Sequence, residues 1–426
     1  MRIRQGCSGA WLGVLVLVAS GGTAQAADWS RFRGPNGSAV SEERGLPATW
    51  SDNENIVWKT ALPGPGSSSP IVVGDRVFVT CFTGVADNGD PAKLVRHLLC
   101  FDRKDGKLLW DQGEPAKLPE DYYDGMLREH GYASSTPVSD GQHVFAFYGK
   151  SGVFAYDLEG KKLWHADVGD GLGMNGWGSA ASPLLYDNLL IVCASAESKA
   201  LIAFDKATGK EVWRTPADSL YPTWGTPVLL DAPGGKKELV IGAPFEIWAL
   251  NPANGNFRWF AEGNQDNTIN TSTVAAGDVV YSAGGRSGGG VAIRSGGRDD
   301  VTKTHTVWKK QFGTNIPSPV YYQGKLYGVS DRGIVSAVNA ENGDEVFQGR
   351  LSGAGSIYAS PVAADGKLYI VTRRKGVYVV AAGDKFEQLA HNELASDESD
   401  FSGSPAVSDG RLYLRSAQAL YCIGAK

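Results

Sequence analysis

The 426-residue sequence has little cysteine, little histidine, no strong excess of either charge and no long hydrophobic run after its first residues. Each scarcity excludes something. Lys and Arg number 41 against 46 Asp and Glu, a formal charge of −5, which argues against nucleic acid or anionic membrane as the main partner. The longest apolar run, WLGVLVLVA, has nine residues, far short of the roughly 20 that span a bilayer. Cys81, Cys100, Cys193 and Cys422 show no C-x-x-C spacing, and the six histidines form no H-E-x-x-H or other paired metal spacing, so zinc and thioredoxin-like chemistry are not indicated. Cys81 and Cys100 fall on consecutive strands of one hairpin. Both a disulfide, in an oxidising compartment, and buried thiols packing as small apolar residues are open readings.

That apolar run sits behind the positive MRIRQ and ahead of the small residues GGTAQA, which end at Ala26. The pattern is that of a cleaved secretory signal over residues 1–26. Cleavage removes Arg2 and Arg4 and no acid, leaving a more acidic chain, expected to be exported, periplasmic or extracellular, without a membrane anchor and monomeric.

What the sequence does have is repetition, with 55 glycines and 12 tryptophans. One phrase is Ser-Pro or Thr-Pro, an apolar run, a turn such as GD or DG, and a second apolar run. It opens at Pro70, Pro137, Pro183, Pro227, Pro319, Pro361 and Pro405, with a proline-free copy around Val274. The second phrase follows it, as in CFDRKDGKLLW, AYDLEGKKLW and AFDKATGKEVW. An aromatic lies four places after the turn glycine at Trp110, Trp164, Trp213, Trp259 and Phe347. The fifth copy is stretched to Trp308, and in the seventh, AAGDKFEQLA, Phe386 or Leu389 is expected to serve.

From Pro137 onward the openings are 46, 44, 47, 45, 42 and 44 residues apart, the period of a four-stranded propeller blade. Alternating runs such as RVFVTC and KLYIVTR, bounded by Gly/Asp turns, are strand signals. The prediction is an all-β, eight-bladed β-propeller of four-stranded antiparallel blades, spanning residues 55–426 after a lead-in of residues 27–54. The last copy ends at ALYCIGAK without its outer strand, while NIVWKT, around Trp58, has no strand upstream to pair with. The N-terminal strand is therefore expected to complete the last blade and close the ring, leaving only short, protected edges. One buried aromatic per blade, each contributing about 1.5 to 3 kcal/mol, reads as structure that joins neighbouring blades.

Naming the strands of a blade A to D, the A–B and C–D turns lie on one face of the ring and the B–C and D–A loops on the other. The first set is short and stereotyped. The second varies and holds the long segments, so that face is where binding is expected. Its B–C loops bear Lys150, Arg286, Arg332, Arg373 and Arg374, and its D–A loops bear His130, Tyr132, Trp177, Trp224 and Tyr358. A cationic rim with aromatic platforms can hold an anionic group, a sugar or an acidic peptide by charge-assisted hydrogen bonds and stacking. The GRSGG at Gly285–Gly289 lacks the strand-to-helix turn of a nucleophile elbow. GLGMNG at Gly171–Gly176 leads into a strand, where a dinucleotide loop needs a helix. No catalytic residue and no metal ligand is assigned.

The repeated SP…DG…AxDxxTGKxxW phrase resembles the quinoprotein-like repeat of the pyrroloquinoline quinone (PQQ) dehydrogenases and of the outer-membrane assembly β-propeller lipoprotein, over nearly all of residues 55–426. The lead-in DWSRFRGPNGSAVSEERGLPATWS resembles that of related secreted bacterial repeat proteins. The dehydrogenases would imply PQQ in the funnel over calcium, with a carboxylate base and an adjacent cysteine pair. This chain has no adjacent cysteines, and no calcium-ligating set can be carried over residue by residue. The lipoprotein would imply a non-enzymatic scaffold, although Ala27 stands where a lipoprotein needs cysteine. The reading is an exported scaffold without a cofactor, binding a protein or glycan on its loop face, with a PQQ-dependent dehydrogenase of alcohols or sugars as the alternative.

Overall fold

The computed structural model describes residues 28–85, 90–123 and 132–425. The export signal expected over residues 1–26 lies outside them, as does His130. Eight antiparallel sheets form a ring. Blade 1 comprises Ile71–Val73, Arg76–Thr83, Val95–Asp102 and Leu108–Pro115. Blades 2 to 7 repeat this in order, with inner strands at Val138–Ser139, Leu184–Tyr186, Val228–Ala232, Val274–Ala276, Val320–Tyr322 and Val362–Ala364. Blade 8 comprises Ala406–Ser408, Arg411–Arg415 and Ala419–Ile423, and its fourth strand is Ile56–Ala61. That strand runs antiparallel to Ala419–Ile423, with Trp58 opposite Cys422. The ring closes as expected.

The tryptophans act across blades. In each blade the pairing of strands C and D slips by one residue just before the aromatic position, as between Ala203 and Phe204 opposite Trp213. The extra residue turns outward, which leaves Leu109, Leu163, Val212 and Leu389 exposed, while the next side chain is aimed at the neighbouring blade. There five of the indole N–H groups donate to a carbonyl in the C–D turn: Trp58 to Arg103 at 2.9 Å, Trp110 to Leu158 at 2.9 Å, Trp164 to Lys206 at 3.0 Å, Trp213 to Pro252 at 3.1 Å and Trp308 to Ala340 at 2.9 Å, whereas Trp259 donates to the Glu238 carboxylate of its own blade at 2.8 Å. The ring also lies flat on that turn's glycine. At Gly160 (φ +89°) a Cβ would sit 2.8 Å from the Trp110 indole, so the motif's glycine serves the preceding blade's tryptophan as well as its own left-handed turn.

Blade 7 departs from expectation. Leu389 is the outward-turned residue, Ala390 occupies the aromatic position opposite Val379, and Phe386 packs back on Phe347 of blade 6. Neither Phe386 nor Leu389 fills the place. Trp50 of the lead-in does: it stacks on Tyr369 with centroids 6.4 Å apart, a place matching that of Trp58 beside Tyr413, where the rings are tilted, and its backbone N–H donates to Asn392 at 2.9 Å. Two blades also carry a fifth strand: Val40–Ser41 runs parallel to the inner strand of blade 7, and Asp299–Asp300 parallel to the outer strand of blade 4.

The lead-in is part of the ring. Trp29 exchanges both backbone hydrogen bonds with Val72 of blade 1, the Ser30 carbonyl accepts from Ser139 of blade 2, Arg33 donates to the Pro319 carbonyl ahead of blade 6, and the Ala39 carbonyl accepts from Ala363 of blade 7. Residues 29–39 thus lie across the central channel, on the side of the A–B turns. Further along, Glu43 accepts from Asp409 and Gly410, and Gly45 donates to Asp365.

The cysteines resolve plainly. Cys81 faces His97 and Cys100 faces Phe78 across the hairpin, and the two side chains belong to hydrophobic clusters on opposite faces of the sheet. All four are buried free thiols.

Candidate functional site

The site begins with the residue before each blade-opening proline. The backbone N–H of Ser69 donates to the Thr136 hydroxyl, Thr136 to Ser182, Ser182 to Thr226, Thr226 to Ser272, Ser272 to Ser318, Ser318 to Ser360, Ser360 to Ser404, and Ser404 back to Ser69, all at 2.9 to 3.0 Å. The eight links form a closed circle of blade-to-blade bonds around the channel. A hydroxyl is required at each position because the amide at the start of an inner strand points at the next blade and has no strand to pair with. The following proline, or Thr273 in blade 5, leads into the inner strand; proline contributes no N–H that would need a partner there.

Above this circle, on the loop face, opens a cavity of about 460 Å³. All eight hydroxyl residues line it, with Ser67, Ser134, Asn270 and Asn315 a step higher, and Phe32 of the lead-in reaches it from the opposite side. Among the described residues its aromatic lining is Phe32, Tyr123, Trp177, Trp224 and Tyr358, and its charged lining is one cation, Arg286, and one carboxylate, Asp331. The Trp177 and Trp224 rings pack at 5.3 Å, and the Trp224 indole N–H donates to the Gly178 carbonyl at 2.8 Å, which fixes the pair against the wall.

The candidate residues fall into three environments. Trp177, Trp224, Tyr358 and Arg286 line the funnel. Arg373 lies over the Tyr358 ring, 4.8 Å from its centroid, and together with Arg374 binds the Asp400 carboxylate at 2.8 and 2.6 Å. Arg332 is exposed next to Asp331 and is not among the lining residues. Lys150 and Tyr132 are buried away from the channel. Lys150 pairs with Asp121, and Tyr132 packs on Arg96 at 5.6 Å, which itself pairs with Glu120 at 2.7 Å. The cations therefore do not form a common rim: Lys150, Arg373 and Arg374 each face a carboxylate.

The Lys150 network borders the funnel through Tyr123 and Ser179 and ends at Glu197. Ser179 donates to the Glu197 carboxylate at 2.7 Å, and burial lifts that carboxyl to about 7. Burial also raises Asp121, in spite of the adjacent ammonium. The Gly171–Gly176 loop wraps the same residue, with the Gly171 N–H donating to the Glu197 carbonyl at 2.8 Å, and it enters one short turn rather than a phosphate-binding helix. In GRSGG, the Ser287 hydroxyl and backbone N–H both donate to Asp266, which pins a B–C hairpin to a D–A loop.

Sequence reading missed Phe32, the hydroxyl circle and the Arg96–Glu197 network. The circle had a visible signal, a hydroxyl residue before every blade opening, whereas nothing local marks Phe32 as a residue of the channel.

A family model described as "Outer membrane protein assembly factor BamB" matches residues 36–230, 96–348 and 300–389. No curated protein sequence matches the chain. Among solved structures, BamB from Moraxella catarrhalis is 15% identical over 87% of this chain and 97% of its own, with a TM-score of 0.62. A europium-containing methanol dehydrogenase is 11% identical over 93% and 98%, at 0.66. The quinohemoprotein alcohol dehydrogenase from Comamonas testosteroni is 13% identical over 94% and 81%, at 0.65. At these identities the likeness is one of fold, shared by a protein-assembly factor and by redox enzymes alike. The chain belongs to the PQQ-like repeat propeller family whose model carries the BamB description.

Proposed function

We propose that the protein is an exported binding scaffold that receives a protein or glycan partner in the funnel of its loop face. The observation that carries this reading is the lining: buried hydroxyls and aromatic faces around a cavity of about 460 Å³, within the ~300–1,000 Å³ range of ligand sites. The lead-in backs the funnel on the turn side, so a ligand approaches from the variable loops. The family description, an outer membrane assembly factor, supports a role outside the cytoplasm. Among the described residues no helix is long and apolar enough to cross a membrane.

The alternative, a PQQ dehydrogenase, meets a misfit in these residues. PQQ is a tricarboxylate, and its calcium ion calls for six to eight oxygen ligands, commonly carboxylates. Among the described residues the funnel offers one guanidinium, Arg286, and one carboxylate, Asp331. Among the described residues no group of three or more His, Cys, Asp or Glu side chains could hold a metal ion. The residues present do not fit the cofactor, and no redox step is assigned to them.

The test is affinity capture from cell-envelope extracts with the wild-type protein, with Trp177→Ala/Trp224→Ala on the loop face, and with Lys210→Glu on the C–D turn face. The scaffold reading expects a partner retained by the wild type and Lys210→Glu and lost by the tryptophan variant. Equal retention by all three would contradict a loop-face site.

A further inference from the structure

Resting on the scaffold reading, we infer that the funnel is a site for the end of a neutral carbohydrate chain. Three features of the lining converge on that class.

The first is the unused hydrogen-bonding capacity of the circle. Each of its eight hydroxyl oxygens accepts one backbone N–H from the neighbouring blade. Among the described residues none of these hydroxyls donates a hydrogen bond to a protein group, although every one is at least nine-tenths buried and lines the cavity. A buried O–H calls for an acceptor, and each oxygen keeps a lone pair free. The circle therefore presents donors and acceptors of equal kind from all sides. A sugar, whose own hydroxyls both donate and accept and radiate from a ring, answers that pattern; a carboxylate or phosphate, which only accepts and brings charge, does not.

The second feature is the placement of flat apolar faces above the circle. Trp177, Trp224 and Tyr358 stand around the mouth, and Phe32 reaches the cavity from the side of the A–B turns. The C–H face of a pyranose packs on such rings as aliphatic groups do, while its hydroxyl edge stays free for the polar wall. Their fixation matters as well. Trp224 is held through its indole N–H on Gly178 and Trp177 is packed against Trp224, so little ordering accompanies binding.

The third feature is what the lining excludes. Among the described residues the charged lining is Arg286 and Asp331, which balance and leave no excess charge to attract a polyanion. A peptide entering as an added strand needs a free sheet edge. At this level the inner-strand amides are already engaged by neighbouring hydroxyls, and deeper in the channel the lead-in occupies the edges at Val72 and Ala363.

The test uses purified protein and the neutral trisaccharides maltotriose, cellotriose and triacetylchitotriose, followed by tryptophan fluorescence and calorimetry. The expected result is saturable binding of at least one of them, weakened about tenfold in Trp177→Ala by loss of stacking. Thr226→Val, which removes one hydroxyl at nearly constant volume, is expected to weaken it several-fold, as one lost hydrogen bond does, and Thr226→Ser to restore it. Lys210→Glu, exposed on the C–D turn face away from the funnel, should change the affinity by less than about twofold. Thermal denaturation of each variant identifies any that fail to fold, in which case Tyr358→Ala, which removes another aromatic face at the mouth, carries the comparison with an expected loss of about tenfold. Absence of saturable binding of all three sugars up to about 10 mM, a range reaching far weaker than the millimolar affinities of loose complexes, overturns the inference; so does binding that Trp177→Ala leaves unchanged. If the sugars fail while envelope capture still depends on Trp177 and Trp224, the carbohydrate class falls and the scaffold reading stands. If a sugar binds and is oxidised with reduction of an added dye, the scaffold reading falls instead.

Discussion

Replacing Trp58 by alanine should destabilise the whole ring, although the residue stands near the start of the described chain. Its side chain is 7% exposed, lies on Gly106 of blade 1, where a Cβ would be 2.5 Å from the indole, and donates to the Arg103 carbonyl at 2.9 Å. Removing a buried large aromatic costs about 3 to 5 kcal/mol, and the lost hydrogen bond accounts for about 1 kcal/mol of it. Trp58→Phe, which keeps most of the packing, should cost about 1 to 2 kcal/mol by the same reasoning. Trp110 makes the equivalent contact between blades 1 and 2, donating to Leu158 at 2.9 Å, and is the internal control. If the closing joint is a blade interface like the others, Trp58→Ala and Trp110→Ala should lower stability by similar amounts. Guanidinium unfolding followed by far-UV circular dichroism and by intrinsic fluorescence measures both. A loss below about 1 kcal/mol for Trp58→Ala, against several for Trp110→Ala, would refute the reasoning. So would a transition in which the remaining sheets unfold unchanged.

Three further outcomes follow from particular contacts. Trp50→Ala should cost about 3 kcal/mol, because Trp50 fills the aromatic place that Ala390 leaves in blade 7; the same unfolding assay reads it. The Glu197 carboxyl is lifted from 4.5 to about 7 by burial, so its protonated form favours the fold. That contribution is complete below pH 4.5 and is lost as the pH rises to about 7, a change of about 3 kcal/mol. Glu197→Gln should abolish it, and the difference in stability between wild type and variant across pH 4 to 8, an interval flanking roughly both protonation states, isolates the effect from carboxylates such as Asp140 that are shifted the other way. Finally, burial raises Cys81, Cys100 and Cys193 to about 12 and Cys422 to about 11. None of the four should react with a thiol reagent in the native protein, and all should alkylate after denaturation without prior reduction.

The ring was legible because its signals are periodic. Proline, turn glycine and tryptophan recur at a fixed spacing, and a blade short of one strand met a strand short of a blade. Legibility failed where a position is filled from elsewhere in the chain. Blade 7 reads as a decayed copy because Trp50, some 340 residues away in sequence from Ala390, supplies its aromatic, and local spacing carries no information about such a substitution. WSRFRGP in the lead-in has no strand or helix period to place it, yet its turns seat Phe32 in the channel. For the site, sequence reading selected the face and the aromatic platforms Trp177, Trp224 and Tyr358. It treated the basic residues as one rim because charge is visible in a sequence and ion pairing is not: Asp121 and Asp400, which engage Lys150, Arg373 and Arg374, lie on different loops. The serine and threonine residues were noted as punctuation. Their role depends on contact between blades, which becomes apparent once the ring is closed.

On the scaffold reading the funnel binds a ligand and carries no redox cofactor. Incubating the purified protein with PQQ and calcium, removing unbound cofactor, and recording both the visible spectrum and dye-linked oxidation of alcohols and sugars tests it directly. That reading expects no retained quinone and no dye reduction, because among the described residues Arg286 and Asp331 are the charged groups that face the cavity. Stoichiometric retention of PQQ accompanied by substrate-dependent dye reduction would contradict it.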